Sequence, residues 1–243
     1  MTYCVGIVVD EGLVFAADTR TNASVDDVRV HRKLHPFEYP GEAVFVLMAA
    51  GNLATTQLLV SRLHRDVEEQ RIPNLRSVRH LFEAAEYVGA LLVDSQVQCR
   101  DPEHGHDGVN TQATLILGGQ IAGEQPGVYM IYPLGNAIAA SPETPYLQIG
   151  ESKYGKPILD RIIQPRTALN DAARTAVVSL DSTIRSNLSV GLPVDLALIR
   201  RDELRLSGQL RLCGDSPLYA DIHRNWARRL EQAVASLPRF PWE

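Results

Sequence analysis

The sequence is short of cysteine, of basic charge and of long apolar runs, and each shortage closes off a class of protein. Its three cysteines, Cys4, Cys99 and Cys213, are odd in number, far apart and free of any CxxC spacing. They build neither a disulfide framework nor a zinc ribbon, and they fit a reducing compartment. Lys and Arg number 24 against 29 Asp and Glu, a formal net charge of −5 with a pI near 5.8. That balance lacks the basic footprint of a nucleic-acid binder or a polybasic membrane anchor. No apolar run is long enough to span a bilayer, and the amino end carries Asp10, Glu11 and Asp18 with no basic leader, which argues against a signal peptide. The expectation is a cytoplasmic protein with no membrane and no nucleic-acid partner. A chain of 243 residues, 45% hydrophobic and 22% charged, is sized for one domain over 1–243. No internal repeat, low-complexity tract or linker divides it.

What the sequence has is an ordered alternation of strand and helix patterns. Residues 3–9 are apolar and β-branched, "DEG" interrupts them, and 13–17 resume, which is a hairpin signal. "KLHPF" and "EAVFVLMAAG" (42–51) predict two further strands, the second apolar enough to be covered on both faces. From Asn52 a helical spacing of Leu58, Leu59, Leu63 and Val67 runs towards the break at Pro73. A second helix is predicted over 77–97, striped by Leu81, Ala85, Val88 and Leu92. Strands follow at 111–117, 127–132, 137–140 and 146–149, then helices at 156–163 and 168–186, closing strands at "VDLALIRR" and "ELRLSG", and a last amphipathic helix at about 219–237. Two packed sheets with helix pairs outside them make an α+β fold, a four-layer α/β/β/α sandwich.

The chain opens "MTYCVGIVVDEGLVFAADTR". Thr2 stands behind a methionine at the head of a core strand, and its small side chain permits removal of Met1. A free threonine holds two parts of a catalytic device: a hydroxyl nucleophile, and an α-amine of reference pKa about 7.7–8.0 to take its proton. The β-branch restricts χ1 and aims the Oγ. With Met1 retained the nitrogen is an amide and the device fails. Taken alone, Thr2 reads as a strand former behind a start codon, since so short a signal arises often by chance.

The spacing "T-Y-C-V-G-I … G-L-V-F-A-A-D-T-R … H-R-K-L-H" resembles the amino-terminal signature of proteasome β-type subunits, and is closest to the bacterial Anbu branch, the ancestral β-subunit. The resemblance covers most of the chain and is strongest over 2–57. It implies the N-terminal nucleophile (Ntn) hydrolase sandwich, in agreement with the layer order read above. It also implies hydrolysis of peptide bonds through an acyl-enzyme on Thr2. By the same resemblance Asp18 is the carboxylate ending the second strand, Lys33 is the lysine opening the third, and Gly51 is the backbone donor to the oxyanion. The chemistry agrees: a lysine ammonium favours negative charge on the attacking oxygen, a carboxylate keeps that lysine charged, and an oxyanion donor is worth about 2.7–4 kcal/mol. Arg20, Ala49 and Leu53 fall on the substrate side. Read blandly, Asp18 caps a hairpin, Lys33 is a solvated charge and Gly51 stops a strand; the co-occurrence with Thr2 favours the catalytic reading.

Other stretches depart from that pattern. Where the family carries Asp-x-x-Ser-Gly, this chain reads "R-S-N-L-S-V-G". Aligned on Arg185 it offers Ser186 and Ser189; aligned on Gly191 it offers Asn187 and Val190, and the carboxylate is missing either way. A second serine region reads "G-E-S-K", with Glu151 or Ser152 as counterpart. "GESKYGKP" (150–157) mimics a phosphate-binding loop, but Pro157 replaces its metal-binding hydroxyl and better suits a first helical turn. "DPEHGHDG" gathers Asp101, Glu103, His104, His106 and Asp107 without a scaffold to converge them on a metal. The resemblance therefore calls for no cofactor and no metal. It implies a peptide or unfolded-protein substrate and a homo-oligomer, ring or open helical ring, with 219–237 as a covering or subunit-contact helix. No residue points to a particular ATPase partner. A catalytically weak scaffold of the same fold and a small-amide hydrolase are the alternatives.

Overall fold

The amino-terminal apolar run folds into two strands, β1 (Tyr3–Val9) and β2 (Gly12–Asp18), joined by a tight turn and paired so that Cys4 faces Ala17 and Val9 faces Gly12. In the computed structural model, which describes residues 2–22, 28–100 and 110–243, almost every residue of both strands is buried. Burial on both faces explains why the run shows no alternation of polar and apolar residues. After a short hairpin, β3 (Arg20–Asn22) and β4 (Val28–Val30), the chain crosses to a second sheet through β5 (Leu34–Tyr39) and β6 (Ala43–Gly51). Helices α1 (Leu53–Glu68) and α2 (Leu81–Gln98) then lead into β7 (Ala113–Ile121), β8 (Gly127–Ile131) and β9 (Ala137–Ala139), and β10 (Tyr146–Gly150) returns to the first sheet. Helices α3 (Lys156–Ile162) and α4 (Leu169–Ser186), strands β11 (Val194–Arg200) and β12 (Gly208–Leu212), and α5 (Pro217–Ala235) complete the chain.

The sheets are all antiparallel, ordered β10-β1-β2-β11-β12 and β5-β6-β7-β8-β9. Three apolar cores show the layering. Phe15, Cys4 and Ala17 of the first sheet meet Val46, Met48 and Ile116 of the second between the sheets. Leu47, Leu117 and Ile131 back onto Leu59, Leu63, Val88 and Leu92 of α1 and α2. Val5, Val14 and Leu196 back onto Leu169, Ala176 and Leu180 of α4. This is the α/β/β/α sandwich expected from the sequence.

Three details differ from that expectation. The second helix begins at Leu81, four residues late, because Asn74 folds 74–77 into a side-chain-stabilised turn, its Oδ1 accepting the N–H groups of Arg76 and Ser77 at 2.8 and 2.9 Å. The closing strand is 208–212 and not "ELRLSG", since Asp202 and Leu204 take positive φ (66° and 49°), which no strand accommodates. In α5, predicted as an amphipathic helix, only Tyr219 is buried; Ile222 and Trp226 are half-buried, whereas Leu230 and Val234 are exposed. The acidic, histidine-rich stretch 101–107 and Met1 lie outside the described residues.

Candidate active site

Asp18 is the last residue of β2 and fully buried, and four donors converge on its carboxylate. Oδ1 accepts from Lys33 Nζ at 2.7 Å and from the Tyr3 N–H at 3.0 Å. Oδ2 accepts from the N–H groups of Arg20 at 3.2 Å and Gly191 at 3.3 Å. One carboxylate thus ties the start of β1, the entry to β3, the foot of β5 and the turn before β11. Lys33 is 6% exposed and also donates to the Arg20 carbonyl at 2.6 Å. A buried ion pair persists only when its remaining hydrogen-bonding capacity is met, and here it is met largely by backbone.

Thr2 stands immediately before β1, half-buried, with its carbonyl oxygen accepting the Glu151 N–H at 2.7 Å. Its seat depends on Gly150, the last residue of β10, which takes φ +82°; a Cβ there would lie 1.9 Å from the Thr2 carbonyl oxygen. Gly51 at the end of β6 takes φ +123°, and a Cβ would meet the Gln112 carbonyl oxygen at 2.4 Å. Asn52 then caps α1, its Oδ1 accepting the Thr55 N–H at 3.1 Å, so strand end, glycine and helix start form one rigid corner.

These elements enclose a cavity of about 330 Å³ into which Thr2, Lys33, Ala49, Gly51 and Leu53 all face. Five of the residues singled out from the sequence are therefore brought together, with Asp18 directly behind Lys33. The others are not. The Arg20 guanidinium donates to the Leu188 carbonyl at 2.7 Å and lies on Gly191, where a Cβ would meet its Cζ at 2.2 Å; it clamps the 188–191 turn and does not line the cavity. Ser186 is exposed and lines a separate groove against α5 with His223 and Trp226. Ser189 lies in the turn after α4, its N–H donating to Asn187 Oδ1 at 2.9 Å, and it is absent from the cavity wall. The alignment on Gly191 is the one that reaches the site: Asn187 Nδ2 donates to Glu151 Oε2 at 3.1 Å, and Glu151 is the residue whose N–H holds Thr2. Val190 is buried in the core behind it.

Sequence reasoning missed five other wall residues: Thr21, Arg32, His35, Ala50 and Thr56. Arg32 and His35 flank Lys33 in "RKLH", but nothing in the spacing tells which side chains of an irregular strand entry share a cavity. Burial, reinforced by coupling to His64 and by the Arg32 charge, holds the His35 imidazole below its usual pKa. Burial likewise pushes the Tyr3 hydroxyl up to about 12, where it hydrogen-bonds Ser179 Oγ at 2.6 Å beneath the site. Cys4 is fully buried, and burial raises its thiol, so it is an inert packing residue.

The "GESKYGKP" stretch is structural. Pro157 occupies the first turn of α3, Lys156 Nζ is bound to Asp160 at 2.7 and 2.8 Å, and Gly155 admits the Tyr3 and Ser179 side chains, with a Cβ only 2.2 Å from Ser179 Oγ. Among the described residues no group of three or more His, Cys, Asp or Glu could hold a metal ion.

A four-layer α/β/β/α sandwich built on two stacked antiparallel sheets is the fold of the Ntn hydrolases. Within that class the chain belongs to the proteasome subunit family, whose model, described as "Proteasome subunit", matches residues 2–199. It is similar over almost its whole length to Anbu (ancestral beta-subunit) from Yersinia bercovieri, at 43% identity and a TM-score of 0.92, covering 98% of each chain. It is similar to the protein in the helical assembly of the Anbu complex from Pseudomonas aeruginosa at 42% identity, TM-score 0.92 and 98% coverage of each. Anbu from Hyphomicrobium sp. strain MC1 matches at 40% identity and a TM-score of 0.88, over 98% of this chain and 99% of that one. No curated protein sequence matches significantly.

Proposed function

We propose that this protein is an amino-terminal threonine peptidase acting in the cytoplasm, with Thr2, exposed by removal of Met1, as nucleophile. The observation that carries the reading is the cavity shared by Thr2, Lys33 and Gly51, with Asp18 fixing the lysine from behind. Thr2 Oγ attacks the scissile carbonyl carbon as its proton passes to the α-amine. The tetrahedral oxyanion is held by the Gly51 N–H, the C–N bond breaks, and the leaving amine takes the proton. Water, deprotonated by the same α-amine, then cleaves the ester and returns Thr2. Lys33 has three N–H donors, of which two are bound by Asp18 and the Arg20 carbonyl; the third is available to the cavity, where positive charge favours the attacking oxygen. Arg20 and the Glu151–Asn187 link are positioning elements. No step calls on a cofactor.

Peptides and unfolded protein segments are the proposed substrates, and a homo-oligomer is the proposed working form. The latter is supported by the helical assembly of the Pseudomonas relative and by exposed apolar side chains on and beyond α5, among them Leu230, Val234, Leu237 and Trp242.

The test is the intact mass of untagged protein before and after incubation with a β-lactone or epoxyketone, with the adduct mapped by peptide sequencing. Loss of Met1 and a single adduct on Thr2 is the expected result. A chain that keeps Met1 and takes up no probe would overturn the reading and favour a scaffold.

Two substitutions separate site from surroundings. Gly150→Ala is expected to displace Thr2 and slow labelling on the order of 100-fold, the effect of moving a reacting atom by about 1 Å; labelling at the parental rate would show that the Gly150 contact does not seat Thr2. Lys156→Ala is expected to leave labelling unchanged, and ATP should produce no thermal shift in the parent protein.

A further inference from the structure

The cavity beside Thr2 has an uncompensated charge. Its wall carries three basic side chains, Arg32, Lys33 and His35, and among the described residues no acidic one. They are not equivalent. Lys33 is paired with Asp18 at 2.7 Å, and its one remaining N–H is the donor assigned above to the attacking oxygen. His35 is held below its usual pKa by burial first, then by coupling to His64 and by the Arg32 charge, which favours its uncharged form. The nearby Asp195 carboxylate is already engaged by Arg211 at 2.7 and 2.9 Å. Arg32 is left: exposed, on the cavity wall, and with its side chain in no hydrogen bond or ion pair with any described residue. Apart from Leu53 the rest of the wall is small or hydroxylated, with Ala49, Ala50, Thr21 and Thr56 leaving space for a short side chain.

We infer that this cavity selects an acidic side chain, Glu or Asp, on the residue whose carbonyl Thr2 attacks, with Arg32 as the specificity-determining cation. The inference rests on the peptidase reading above for the attack, but the recognition itself needs only binding. The acyl half of the substrate stays on Thr2 through both chemical steps, so the cavity that Thr2 itself lines is the one that holds it. A guanidinium presents a planar pair of N–H donors matched to a carboxylate, and a substrate backbone laid across the opening would reduce the water screening that weakens exposed ion pairs.

The test compares two peptides, blocked at both ends and identical but for Glu or Gln at that residue, so that shape is held and only charge changes. Binding is measured by fluorescence anisotropy on the Thr2→Ala protein, in which no turnover occurs, and kcat/KM on the parent protein. The expected result is a preference of about fivefold or more for Glu, lost in Arg32→Ala and replaced by a preference for Lys over Glu in Arg32→Glu. A structural role for Arg32 would weaken both peptides alike and leave their ratio unchanged, which would overturn the assignment, as would a preference for Gln or Leu in the parent. Charge-selective binding without turnover or probe labelling would uphold this recognition and defeat the peptidase reading. Turnover without charge selectivity would do the reverse.

Discussion

Thr2→Ala is expected to abolish covalent labelling and peptide hydrolysis while leaving the fold intact. A nucleophile that acts as one unit with its base is lost as a whole when the hydroxyl is removed, and the expected fall in turnover is roughly 10⁴-fold or more. Stability should hardly move. Thr2 precedes β1, is only half-buried, and is held through its carbonyl oxygen to the Glu151 N–H, a contact that alanine keeps. The measurement is the labelling rate with a β-lactone beside a urea denaturation curve, with an unchanged m-value showing that the same surface unfolds. Labelling at another residue in the variant would show that the nucleophile lies elsewhere. Labelling lost together with the folded baseline would show that Thr2 is part of the scaffold. Adding residues before Thr2 should be as damaging as the substitution, because the proposed base is the α-amine.

Lys33→Ala is expected to damage both activity and stability, and that double effect distinguishes it from Thr2→Ala. Removing the ammonium leaves the Asp18 carboxylate fully buried with only the N–H groups of Tyr3, Arg20 and Gly191 to satisfy it. Breaking a buried pair in this way costs about 3–5 kcal/mol, and the three backbone donors place the expectation at the lower end. Labelling of Thr2 should slow by about 10²–10⁴-fold, the range for a positioned proton-transfer group. Asp18→Asn in the same background removes the stranded charge and should recover part of the stability without recovering labelling. Parental labelling by Lys33→Ala would sink the role given to the lysine. Recovery of labelling by the double variant would mean that Lys33 serves only to neutralise Asp18.

Much of the architecture was legible because it follows from local chemistry. Runs buried on both faces, such as Tyr3–Val9 and Ala43–Gly51, announce core strands by being apolar throughout, and the stripe Leu81, Ala85, Val88 and Leu92 has a helix's period. Errors arose where a side chain or an unusual φ overrides pattern: Asn74 delaying α2, and Asp202 and Leu204 moving the last strand to Gly208–Leu212. Ser186 and Ser189 lie off the cavity wall for a different reason. A choice of register at the end of α4 is a choice of direction, since one residue turns a side chain by about 100° around a helix. The sequence offered two registers without a means to choose, and packing selected the one that puts Asn187 on Glu151.

The sequence by itself determined the layers, the order of the elements, and the identities of a candidate nucleophile, carboxylate, lysine and glycine, because each depends on composition, periodicity or a motif within a few tens of residues. Only the tertiary structure decided which of them share a cavity. Asp18 reaches Gly191 across 173 positions of chain, Arg20 reaches Leu188 across 168, and Asn187 reaches Glu151 across 36. Such contacts are made by strand register and sheet stacking, through which a fixed carboxylate can gather donors from four segments. They leave no local trace in any one of those segments.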